Sequence, residues 1–153
     1  MDNKIHIKQV IQRCAGDKIL PLCLVYIFSI VLHGHLSPGG GFQGGILTVA
    51  VVLLVYLGHG YVAAKEAIMP DLFHPLEGAA LIFYIVLAFA GVLFTANFGQ
   101  NFITYKGNIG DLYSAGTIFF MNATVAFDVM CASIVLSVGM LSVLFPQDIT
   151  SKL

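Results

Sequence analysis

The sequence predicts an all-α integral membrane protein with four transmembrane helices, and three observations carry that prediction. Of its 153 residues, 58% are hydrophobic and 10% are charged, with a mean hydropathy of +0.91. A soluble domain of this size carries about a quarter of charged residues. Four apolar stretches approach or exceed the roughly 20 residues that a helix needs to cross about 30 Å of hydrocarbon. Only Glu77 and Asp128 among the charged side chains fall inside those stretches, as expected where a central charge costs at least ~2.5 kcal/mol. A net charge of −1 without a basic patch excludes nucleic acid as a partner. Cys14, Cys23 and Cys131 lack paired spacing and read as small apolar fillers rather than a disulfide or cluster framework.

The spans are expected at 19–35, 42–64, 76–98 and 115–145, in a single membrane domain covering residues 1–153. Lys4, Lys8, Arg13 and Lys18 precede the first, Lys65 lies between the second and third, and Lys152 follows the fourth, whereas Lys106 stands alone on the opposite side. That asymmetry places both termini in the cytoplasm. No A-x-A-like site follows span one, so it is read as a retained span rather than a signal peptide. Ile7, Ile11 and Cys14 share a helical face, so the leader is expected to form a short amphipathic helix along the inner surface. Span four, at about 46 Å if fully helical, exceeds the hydrocarbon and must tilt, break or project. Gly116, Asn122 and Gly139 are its candidate irregularities.

The connection from His33 to Gly45 holds six of the chain's 16 glycines. Pro38 biases Ser37 away from helix and should end span one. Gly39, Gly40 and Gly41 allow backbone to approach a neighbour closely, which a flexible turn alone would not require. Non-helical backbone near membrane depth must meet protein or a watery cavity, so a partner surface is expected there. Gly40→Val should accordingly disturb assembly. Gly44 and Gly45 add a small-residue surface at the start of span two. His33 and His35 are expected to pin the glycine turn by hydrogen bonds, and His33 and His59 lie at opposite membrane depths, which excludes a haem bridged between them.

The run of His35, Pro38, Gly39, Gly40, Gly41, Phe42, Gly44 and Gly45 resembles the signature of the MrpB/MnhB-like subunits of the multi-subunit Mrp-type sodium/proton antiporters. It is similar as well to the antiporter-derived subunits of membrane-bound hydrogenases and sulfur-reducing complexes. The stretch from Ser114 to Gly139, with Thr124, Phe127 and Asp128, resembles the last span of that family. The resemblance implies a non-catalytic membrane subunit of a cation (Na+)/proton antiporter module, supporting assembly and ion translocation in the cytoplasmic membrane of a prokaryote. Other membrane subunits would be its partners, with no cofactor, no metal and no catalytic residue. The same module inside a hydrogenase or sulfur-reducing respiratory complex is the alternative, and a self-contained homodimeric transporter built around Asp128 is a third.

Thr117, Thr124, Asp128 and Cys131 follow one stripe of span four, which therefore faces protein or water rather than lipid. Asp128 reads either as a cation or proton relay or as an inter-subunit polar anchor. The resemblance favours the anchor, because proton channels in such complexes are attributed to their large subunits. Glu77, just after Pro75, is expected to cap the start of span three. His59, Asp71, His74 and Glu77 all map to the cytoplasmic side, where they could funnel protons or bind a metal, although their spacing matches no ligand motif.

Overall fold

Stretches this apolar can bury their backbone polar groups in a membrane only by closing hydrogen bonds within each segment. Among the described residues four helices result: α1 (Asp2–Leu32), α2 (Gly41–Ile68), α3 (Pro70–Thr95) and α4 (Thr117–Leu144). The computed structural model describes residues 2–36, 39–95, 97–103, 108, 111 and 114–144, without the side chains of 2–9 and 95. All four helices contain a stretch long and apolar enough to cross a membrane. With 26 to 31 residues each, they run about 39–46 Å and outreach the hydrocarbon at one or both ends.

Three boundaries differ from the sequence expectation, each for a local reason. The amphipathic leader and span one form a single helix. Gly16, with a Cβ position 3.6 Å from the Leu54 carbonyl, seats α1 against α2 well before residue 19, and Pro21 is accommodated inside the helix. Helix α1 stops at Leu32, so His35 lies in the following turn; Ser37 and Pro38 lie outside the described residues. Between spans two and three the expected loop shrinks to Met69, whose left-handed backbone (φ 47°) donates its N–H to the Lys65 carbonyl. Pro70 then opens α3 at the position where a missing amide costs least. Pro75 lies inside α3 rather than before it.

The fourth span is regular from Thr117 to Leu144, with Asn122 and Gly139 inside the helix and Gly116 just ahead of it at φ 60°. The break falls in α2 instead, where Gly60 adopts φ 84° and ψ 173°. Only glycine enters that region without strain.

In space the helices stand in the row α1, α2, α4, α3, with α4 packed extensively on both α2 and α3. Contacts between Gly41 and Asn122, Gly45 and Ala126, and Thr48 and Ser133 advance together along both chains, so α2 and α4 are parallel. Helices α2 and α3 diverge from Met69 as a V, and α4 fills it. Near the vertex lies the apolar core of Val52, Tyr61, Ile134, Val138 and Leu141, flanked by Ile68, Phe73 and Met130. Large apolar side chains such as Leu93 and Val143 remain exposed on the outer faces, as lipid or a neighbouring subunit requires.

Candidate functional site

The glycine-rich connection meets its neighbour inside the same chain. A Cβ on Gly41 would collide with the Asn122 carbonyl, and one on Gly45 would lie 2.8 Å from both the Ala126 carbonyl oxygen and Val129 Cβ. One on Gly44 would lie 2.6 Å from Val31 Cγ2 of α1. The partner surface expected from another protein is thus supplied by α4 and α1. At Gly40 a Cβ would sit 3.8 Å from Asn122 Oδ1, an ordinary contact, so the demand for closeness begins one residue later than expected. Phe42 points outward and is 56% exposed, and Gly39 is half-buried.

Asn122 locks this junction. Its Oδ1 accepts the Gly41 N–H at 2.7 Å, and its Nδ2 donates to the Val31 carbonyl at 3.0 Å. One amide side chain therefore satisfies an orphan donor at the start of α2 and supplements the long 3.5 Å bond from the Gly34 N–H to the Val31 carbonyl at the end of α1. Among the described residues the expected histidine pins are not formed: His33 Nδ1 lies 3.0 Å from the Ser29 carbonyl of its own helix. The ring nitrogens of His35 are buried without a hydrogen-bond partner among the described residues, its ring meeting Phe119 edge-on at 5.4 Å. Asparagine does this work because it offers a donor and an acceptor at fixed separation. The signal that could have found it is a lone asparagine four residues before Ala126, in step with Gly41 and Gly45.

Farther along the seam, Thr48 donates to the Gly45 carbonyl at 2.6 Å and lies 2.9 Å from the Ser133 hydroxyl. Ser133 also reaches the Met130 and Gly45 carbonyls. Nothing in the sequence singles out this buried pair, since two isolated hydroxyl residues on different spans carry no mark of contact.

At 100° per residue, the row Thr117, Thr124 and Cys131 lies about 180° around α4 from the α2 seam, on the side covered by α3. All three are buried, Cys131 completely; Cys14, by contrast, is exposed. Asp128 on the same side is half-buried, and its Oδ1 is sealed from solvent with no hydrogen-bond partner among the described residues. Cys131 lies within electrostatic range of both Asp128 and Glu77, which brings the two membrane acids toward the same α3/α4 boundary. Thr124 turns back to the Phe120 carbonyl at 2.7 Å. Thr117 is held by Asn101, whose Oδ1 accepts from both its amide and its hydroxyl.

Glu77 does not cap a helix. With α3 beginning at Pro70, it is two turns inside, and Asp71 holds the first turn. His59 leaves the expected group of four as well: its Nε2 lies 3.5 Å from an Asp17 carboxylate oxygen of α1. Asp71 and His74 are exposed. Among the described residues no three of the His, Cys, Asp and Glu side chains gather as a metal site would require.

Residues 11–135 match the family described as the domain related to the MnhB subunit of Na+/H+ antiporter. The B-type subunit of the Na(+)/H(+) antiporter of Alkalihalophilus pseudofirmus is 39% identical over 72 residues, covering 46% of this chain and 49% of that relative. The B-type subunit of the Na(+)/H(+) antiporter of Bacillus subtilis is 25% identical over 138 residues, covering 90% of this chain and 92% of its own length. An uncharacterized protein of Methanocaldococcus jannaschii is 30% identical over 107 residues, covering 65% of this chain and 40% of that protein. The matched stretch thus spans about half the length of the first relative and nearly all of the second.

Proposed function

Since the chain belongs to the family of domains related to the MnhB subunit of Na+/H+ antiporters, we propose that it is a non-catalytic subunit of a multi-subunit cation/proton antiporter, supporting assembly and ion translocation. The observation that carries this reading is the family match over most of the chain, and the open helix row is consistent with it. An internal seam tied by Asn122 and by the Thr48–Ser133 pair makes a stiff slab, while its broad apolar outer faces are available to companion subunits. Both termini lie in the cytoplasm of a prokaryotic cell in this reading, following the excess of Lys and Arg on that side.

Asp128 serves as an inter-subunit polar contact. Its buried Oδ1 lacks a donor among the described residues, and a buried carboxylate oxygen left without one is costly. Oδ1 is closed off within the chain, so a donor from a companion chain would meet the remaining, accessible part of this half-buried side chain at the α3/α4 boundary. Purifying the tagged chain from its native membrane and identifying the co-purifying subunits by mass spectrometry tests the proposal. Large antiporter subunits are expected, and a nickel–iron or iron–sulfur subunit would instead assign the chain to an oxidoreductase complex. Efficient sodium/proton exchange by the isolated chain in liposomes would overturn the non-catalytic role.

A further inference from the structure

Where α1 crosses the broken end of α2, an open cleft of about 900 Å³ is lined by Arg13, Asp17, Lys18, Tyr56, His59 and Gly60, among others. Gly60 lies nineteen residues beyond Gly41, a rise of about 28 Å, which matches the hydrocarbon thickness and sets the cleft at headgroup level. Its charges are unequal. Asp17 is engaged with His59 at 3.5 Å. Among the described residues Arg13 bonds through Nε alone, donating to the Gly58 carbonyl at 3.4 Å beside the helix break, and its two terminal nitrogens remain to meet a ligand. Lys18 is exposed and forms no ion pair among the described residues.

A second groove lies on the same stripe of α1. It is lined by Leu24, Val25, Phe28, Ser29, Leu32 and His33 and is almost wholly apolar. Lys18, Val25 and Leu32 are spaced by seven, as are Asp17 and Leu24, so the charged cleft and the apolar groove follow one face. Arg13 stands level with Gly58 while Ile27 packs on Gly44, so the groove begins near mid-membrane; from Arg13 to Leu24 the rise is about 16 Å, the depth of one leaflet's acyl chains.

We propose that this face of α1 is a binding site for an anionic phospholipid, its phosphate held by Arg13 and Lys18 and its acyl chain running along α1 to Leu24 and Val25. The guanidinium suits a phosphate diester because its planar donors match two oxygens at once. Free phosphate shares that headgroup chemistry but leaves the groove empty.

The test is native mass spectrometry of the full chain in detergent, titrated with phosphatidylglycerol, with phosphatidylcholine of identical acyl chains, and with inorganic phosphate. Phosphatidylglycerol is expected to bind at least tenfold more tightly than phosphatidylcholine, and inorganic phosphate not measurably. Arg13→Ala with Lys18→Ala should abolish the preference, each residue contributing about fivefold, while Lys65→Ala leaves it intact. Leu24→Ala should weaken both lipids alike. Asp17→Asn removes the carboxylate that opposes the phosphate and should strengthen phosphatidylglycerol binding, a gain that no folding defect mimics. Equal binding of the two lipids would overturn the proposal, as it would if the cleft received an acidic segment of a partner protein. Phosphate binding as tight as that of phosphatidylglycerol would overturn the lipid assignment.

Discussion

Adding one methyl group at Gly45 should loosen the α2/α4 seam measurably. The new Cβ would stand 2.8 Å from the Ala126 carbonyl oxygen and 2.8 Å from Val129 Cβ, where carbon atoms rest at about 3.5 Å or more. Both obstacles belong to the α4 main chain or its first side-chain atom, so neither can rotate away. The helices must therefore part by roughly 0.7 Å at this level, a shift taken from that contact distance. One turn farther on, the Thr48–Ser133 bond at 2.9 Å would stretch to the limit of hydrogen bonding, about 3.5 Å. Overpacking costs typically about 1–3 kcal/mol, and a hydrogen bond between membrane helices contributes about 0.6 kcal/mol on average. Gly45→Ala should thus cost on the order of 2–3 kcal/mol, by summing those two effects. Reversible unfolding of the purified chain in mixed micelles measures it, with Gly40→Ala as the control, because a Cβ there meets Asn122 Oδ1 at 3.8 Å. Equal stabilities for the two variants would refute the close-approach account of the glycine motif.

Three further outcomes follow from other positions. Asn122→Ala strips the Gly41 amide of its side-chain partner and leaves the Val31 carbonyl only the long 3.5 Å bond from the Gly34 N–H, and should cost about 1–3 kcal/mol in the same assay; an unchanged midpoint would deny Asn122 its role as the tie between three helices. Asp128→Asn keeps hydrogen-bonding capacity but cannot titrate, so sodium/proton exchange measured by dye quenching in everted membrane vesicles should persist; abolished exchange in a normally assembled complex would assign Asp128 to an ion relay instead. Gly60→Ala places a side chain at φ 84°, which should destabilise the chain by about 1–2 kcal/mol even though no atom obstructs it. A fully tolerated alanine would show that α2 can straighten.

Span number is legible because hydrophobicity integrates over twenty residues and survives local noise. Boundaries are less so. Lys65, Glu66 and Asp71 have the composition of a loop between spans, yet helices that project into water carry charge at their ends, and Pro70 at the start of α3 allows a one-residue turn at Met69. The same shift moves Glu77 from a capping position to a place two turns deep, a difference no local pattern announces. The small-residue step from Gly41 to Gly45 is visible, but its partner within the chain is not, because sequence order does not disclose that α2 and α4 lie side by side. Asn122 stands out only as an irregularity of its own helix. Arg13 and Lys18 are informative as topology markers, and nothing in their spacing tells that the end of α2 breaks beside them.

The helix row has a consequence for how the protein is made. Synthesis delivers α2 and α3 as a pair joined by Met69, yet α4, the last helix, occupies the space between them. Until it arrives, the α2 hairpin arm displays Thr48 and a bare glycine edge to lipid, and the α3 arm displays Glu77. Without α4 the two arms lack the helix that fills the space between them. Filling the V therefore waits on α4, and any surface that α4 helps to build appears only after that helix has inserted.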